Sequence, residues 1–94
     1  MIQHIVMWKF REGTEAQAEE FLTRLAALDG QIECIRSMAV RRSAVPGSAY
    51  DAVLVSEFDT LEDVARYKND PRHVAVSSLC KEIRIDRRAI DVTI

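Results

Sequence analysis

At 94 residues the chain is long enough for one small domain, 1–94, and too short for two. Its 48% hydrophobic and 30% charged residues are the composition of a folded globule and exclude a disordered segment. A formal net charge of −2, with Arg41-Arg42 and Arg87-Arg88 as isolated doublets, denies nucleic acid its usual basic footprint.

The apolar runs fall far below the roughly 20 residues of a membrane span. No cationic stretch followed by a long apolar one opens the chain, so a cytoplasmic protein is expected. Cys34 and Cys80 stand alone, outside any CxxC or Cys/His cluster, and read as two reduced thiols with Cys80 in the core.

The first element is a strand over 2–10. Its even positions His4, Val6, Trp8 and Phe10 alternate with Ile5 and Met7, so both faces carry apolar residues. Residues 11–13 form a turn. Thr14 and Gln17 have the spacing of a capping box, and Ala18, Phe21, Leu22, Leu25 and Leu28 form the apolar stripe of a helix that Gly30 would terminate.

Residues 34–43 read as a second strand, 44–49 as a Pro-Gly loop, and 50–58 as a third strand that is again apolar on both faces. Thr60 caps a short helix over 61–69, with Leu61, Val64, Ala65 and Lys68 expected inward and Tyr67 on its flank. Pro71 ends it, and Asp70 caps the next helix, which runs to about residue 83 with Val76, Leu79, Cys80 and Ile83 on its stripe. Residues 87–94 close as a fourth strand.

The order β-α-β-β-α-α-β predicts an α+β, ferredoxin-like fold: a four-stranded antiparallel sheet with helices on one face. The helices cannot cover the second apolar face of the first and third strands. A second copy of the chain can, which predicts a homodimer joined through the sheet faces as a barrel-like pair.

Few polar residues occupy apolar positions. His73 falls in the first turn of its helix, on the side of Val76 and Cys80. A neutral imidazole is expected there, because the helix N-terminus disfavours a second positive charge. Such a ring can accept a proton, or can simply bond a backbone carbonyl. Tyr67 can seal the corner or reach a cavity with its hydroxyl. His4 needs a partner or a pocket, and Asp91 in the last strand could orient an imidazole or stand as an edge or solvent-facing carboxylate. Two histidines are too few for a three-ligand metal centre, so no metal is expected. No phosphate loop, dinucleotide fingerprint or nucleophile elbow is present, and no cofactor is expected.

The opening HIVMWKF, the helix start TEAQ, the strand YDAVLVSEF, the corner YKNDPRHV and the closing IDVTI together resemble the stress-responsive A/B-barrel (Dabb) family over nearly the whole chain. The resemblance implies a ferredoxin-like homodimer with facing sheets. Most of the family has no assigned activity. A plant polyketide cyclase within it closes a ring by aldol condensation.

Carried over from that cyclase, the resemblance implies His73 as general base, Tyr67 as partner of the developing oxyanion, and His4 as a pocket-lining residue beside the acidic position of Asp91. Val6 and Trp8 share the strand face of His4 and complete the expected substrate-binding set. This chain departs from the cyclase at Leu25, Ala52 and Asp70, where that enzyme has Tyr, His and His.

Three functions follow as expectations. The first is a binder of a small carbonyl-containing molecule, with lyase-like chemistry. The second is a non-catalytic stress-responsive dimer. The third is a cofactor-free monooxygenase or isomerase of the same topology.

Overall fold

The computed structural model describes residues 1–94. The chain runs β1 (Ile2–Phe10), α1 (Glu15–Ala26), β2 (Ser37–Arg42), β3 (Ala52–Phe58), α2 (Leu61–Asn69), α3 (Pro71–Ile83) and β4 (Arg84–Thr93). All strand pairs are antiparallel, in the order β2-β3-β1-β4, so β1 is central and β2 and β4 are edges. This is the ferredoxin-like α+β fold that the element order predicts.

The strand period of two explains both faces of the sheet. The even positions of β1 from His4 onward, and those of β3, are buried beneath the helices. Register sets Trp8 beside Ala52, Val6 beside Leu54 and His4 beside Ser56. Phe21 of α1 packs edge-on against Trp8, with ring centres 5.2 Å apart, and against Phe10 at 6.1 Å. Edge-to-face contacts of this kind add to the area that the rings bury. Leu22, Leu25, Val76, Cys80 and Ile83 complete the layer between helices and sheet.

The opposite face carries an apolar row that crosses all four strands: Ala39, Val55, Ile5 and Ile90 in register. Ile90 is 57% exposed. No helix lies on this side of the row.

Several local expectations change. The first helix ends at Ala26 with Ala27 as its cap, and Gly30 (φ 88°) serves a turn further on instead. Thr14 precedes α1 without capping it. Its hydroxyl donates back to the Arg11 carbonyl at 2.6 Å, so the capping box does not form. β2 begins at Ser37, three residues later than its apolar content suggests, because Ile35 is buried in the preceding turn. β3 begins at Ala52, two residues late, and β4 begins at Arg84, three residues early.

On α2 the buried residues are Val64 and Tyr67, whereas Leu61 is 58% exposed and Ala65 and Lys68 are also exposed. The larger aromatic takes the central place on this short helix. No helix is long and apolar enough to cross a membrane.

Candidate functional site

The site forms where the α2–α3 corner meets β1 and β4. Thr60 caps α2, accepting the Asp63 N–H, and Asp70 ends α2 and caps α3 by accepting the Arg72 N–H at 2.9 Å. Pro71 sits at the first position of α3, where a missing N–H costs nothing. This corner fixes the angular phase of both helices. Tyr67 is thereby buried completely, 0% exposed, rather than set on the flank. Its ring lies 4.4 Å from that of His73, 5.3 Å from that of Phe58 and 6.1 Å from that of His4.

The two imidazoles are held alike. His73 Nδ1 lies 3.0 Å from the Lys68 carbonyl oxygen, which can only accept, so Nδ1 carries the proton and Nε2 is left as an acceptor. His4 Nδ1 lies 2.6 Å from Asp91 Oδ1, its register partner on β4, and its Nε2 is left in the same state. The Ser56 hydroxyl donates to the His4 carbonyl at 3.1 Å and ties down the strand beneath.

Burial lowers the pKa of His4, outweighing the opposing hydrogen bond and charge of Asp91. Burial also lowers that of His73, with the Arg87 and Lys68 charges acting the same way. Both rings are therefore neutral near pH 7 and keep a lone pair on Nε2. Burial pushes the Tyr67 hydroxyl well above its ordinary value, so it remains a donor. That hydroxyl is buried and has no hydrogen-bond partner within the chain.

A cavity joins these groups. The space open to the centre of a water molecule is about 30 Å³, and His4, Val6, Trp8, Tyr67 and His73 line it. That is room for about two waters. Asp91 reaches the cavity only through His4. The structure thus brings His73, Tyr67, His4, Val6, Trp8 and Asp91 into one place.

Ser77, Arg84 and Arg87 also line the cavity, with Lys68 at its exposed edge. No motif in the sequence marks these four for the site. The alternation of β4 is a usable signal for Arg87, which shares a strand face with Asp91. The arrangement sets the hydroxyls of Tyr67 and Ser77 and two imidazole acceptors around one small cavity. No three His, Cys, Asp or Glu side chains cluster closely enough to hold a metal ion.

Fold and site together define a ferredoxin-like α+β protein with a small cavity of mixed polar and apolar lining between helices and sheet. The chain belongs to the family of the stress responsive A/B barrel domain, whose model matches residues 2–94. It is similar to a dimeric protein of unknown function from Bacteroides fragilis, with 30% identity, TM-score 0.86 and coverage of 99% of this chain and 95% of that one.

It shares its fold with a Dabb family protein from Mesorhizobium loti, with 21% identity, TM-score 0.82 and coverage of 99% and 95%. A hydroxynitrile lyase from Passiflora edulis has the same fold, with 11% identity, TM-score 0.86 and coverage of 99% and 92%. No curated protein matches the chain.

Proposed function

We propose that this chain binds a small carbonyl compound in the cavity and moves a proton on it. Tyr67 donates a hydrogen bond to the carbonyl oxygen, and His73 Nε2 takes a proton from the adjacent carbon. His4, oriented by Asp91, together with Val6 and Trp8, shapes the pocket. The observation that carries this reading is the Tyr67 hydroxyl: a fully buried donor with no partner in the chain, beside a cavity flanked by two neutral imidazoles. An unpaired buried hydroxyl costs about 1–3 kcal/mol, a cost that a bound carbonyl would offset.

The chemistry in reach is enolisation and the carbon–carbon bond making or breaking of an aldol-type lyase. A cavity of about 30 Å³ takes a single carbonyl group, so a folded polyketide chain is not the ligand this interior fits. The hydroxynitrile lyase among the neighbours supports this reading at the level of fold only. The apolar row of Ala39, Val55, Ile5 and Ile90, half-exposed on the first three strands and exposed at Ile90, supports a homodimer through the sheet faces. Solved neighbours described as dimeric add to that support.

A second reading has its own observation. His73 Nδ1 is already satisfied by the Lys68 carbonyl, as a purely structural corner would require. The experiment that separates the two is proton exchange at the carbon beside the carbonyl of small ketones in D₂O. The acid–base reading expects exchange above buffer, lowered about 100-fold in His73→Asn and at least about 10-fold in Tyr67→Phe. Exchange indifferent to both substitutions would leave the corner structural.

A further inference from the structure

The mouth of the cavity is built from cations. Lys68, Arg84 and Arg87 all line it. None of the three has an ion-pair partner, although most other basic side chains do: Lys9 with Asp51, Arg24 with Glu20, Arg36 with Asp59, Arg42 with Glu19, Arg66 with Asp63, Arg72 with Asp70 and Arg88 with Asp86. The carboxylate at the site, Asp91, is engaged by His4. A chain with a formal charge of −2 therefore gathers unpaired positive charge at one opening.

The backbone is arranged to bring two of these cations together. Arg84 and Arg87 are three residues apart, so a regular strand would point them to opposite faces. The pairing of β1 with β4 is irregular between Lys9 and Phe10: Lys9 pairs with Asp86, but Phe10 pairs with Arg84, and Ile85 is skipped. This bulge reverses the alternation. Arg84 joins Arg87 on the helix-facing side, and Ile85 is left 65% exposed. Arg84 is thereby half-buried beside the cavity without a carboxylate to pair it. Tyr67, whose buried hydroxyl has no partner in the chain, lines the same cavity.

We propose that the cavity takes a small keto acid, its carboxylate held at the mouth by Arg84 and Arg87 beside Lys68 and its carbonyl directed inward to Tyr67. The proposal rests on the carbonyl reading above and adds the charge of the ligand. Two guanidinium groups suit a carboxylate, because each offers paired donors in a fixed plane. The three cations also draw an anion towards an opening that an uncharged ketone would find only by diffusion.

The test is to titrate the protein with acetoacetate and with acetoacetamide, its uncharged counterpart of the same shape, following the ring signals of Tyr67 and His73 by NMR. Acetoacetate is expected to bind at least about tenfold more tightly at low ionic strength. The advantage should shrink at high salt. Arg87→Gln, and separately Arg84→Gln, should remove most of it, lowering the affinity for acetoacetate several-fold more than that for acetoacetamide.

Equal affinities that shift both rings would overturn the anionic mouth and keep the carbonyl reading. Selective binding of acetoacetate that follows the arginines but leaves both rings unmoved would keep the anion site and overturn the carbonyl reading. An anion preference that survives both arginine substitutions, or no binding of either probe, overturns the proposal.

Discussion

Tyr67 holds a donor in the interior without an acceptor from the chain, and that should be measurable. Tyr67→Phe keeps the ring contacts with Phe58 and His73 and deletes only the orphan. Urea denaturation is expected to find the variant more stable by about 1 kcal/mol, a gain opposite in sign to that of most core substitutions. The histidines make a second prediction. Both rings bind protons less readily folded than unfolded, so the unfolded chain holds more protons as the pH falls below 6.5. Stability should therefore rise with pH from the lowered folded values up to about 6.5 and level off above. Asp91→Asn removes a contribution that raises the His4 pKa. The His4 ring, followed by NMR, should then titrate at still lower pH. Much of the site is legible in the sequence because Pro71 fixes the phase of the helix that carries His73, and strand alternation places His4 with Val6 and Trp8. The depth of Tyr67 is not, since two anchors on a short helix leave its stripe ambiguous. Arg84 is hidden by a bulge that no residue type announces.

The α2–α3 corner is the element on which the site depends. Asp70 accepts the Arg72 N–H and pairs with the Arg72 guanidinium at 2.9 Å. These bonds, the side-chain one foremost, hold the Asp70 carboxyl below its ordinary 3.8, at about 2. A carboxylate stabilised in this way contributes above its unfolded pKa and loses that contribution as the pH falls through its folded one. An acid limb between about pH 4 and pH 2 should therefore weaken in Asp70→Asn, which still caps the helix but cannot titrate, as followed by circular dichroism. The Asp-Pro pair makes this corner readable from the sequence. The TEAQ start misleads for a geometric reason: Thr14 has φ −109° and ψ 25°, not the extended backbone of a capping residue, and its hydroxyl turns back to Arg11.

At the scale of the whole molecule, the sheet has two faces and one layer of helices. The two-sided apolar pattern of β1 and β3 is enough, as a pattern of residues, to announce the uncovered face. The contribution of Ile90 is not evident in that pattern, because β4 is mostly polar and its place depends on register with Ile5. Ile5→Asp sets a carboxylate in the middle of the apolar row and leaves the helix-facing core untouched. Sedimentation should show a dimer for the wild type and a monomer for the variant. A dimer that survives would place the interface elsewhere. The cavity wall also contains Cys80, 2% exposed, its thiol pushed up by burial, while Cys34 is half-exposed at the surface. A maleimide can reach Cys80 only when helix and sheet part, so its slow alkylation in the native protein is a clock for that opening. A molecule lodged against Tyr67 should slow the clock while Cys34 continues at its own rate. The protein thus carries an internal stopwatch for occupancy, one that needs neither a chromophore nor a known reaction.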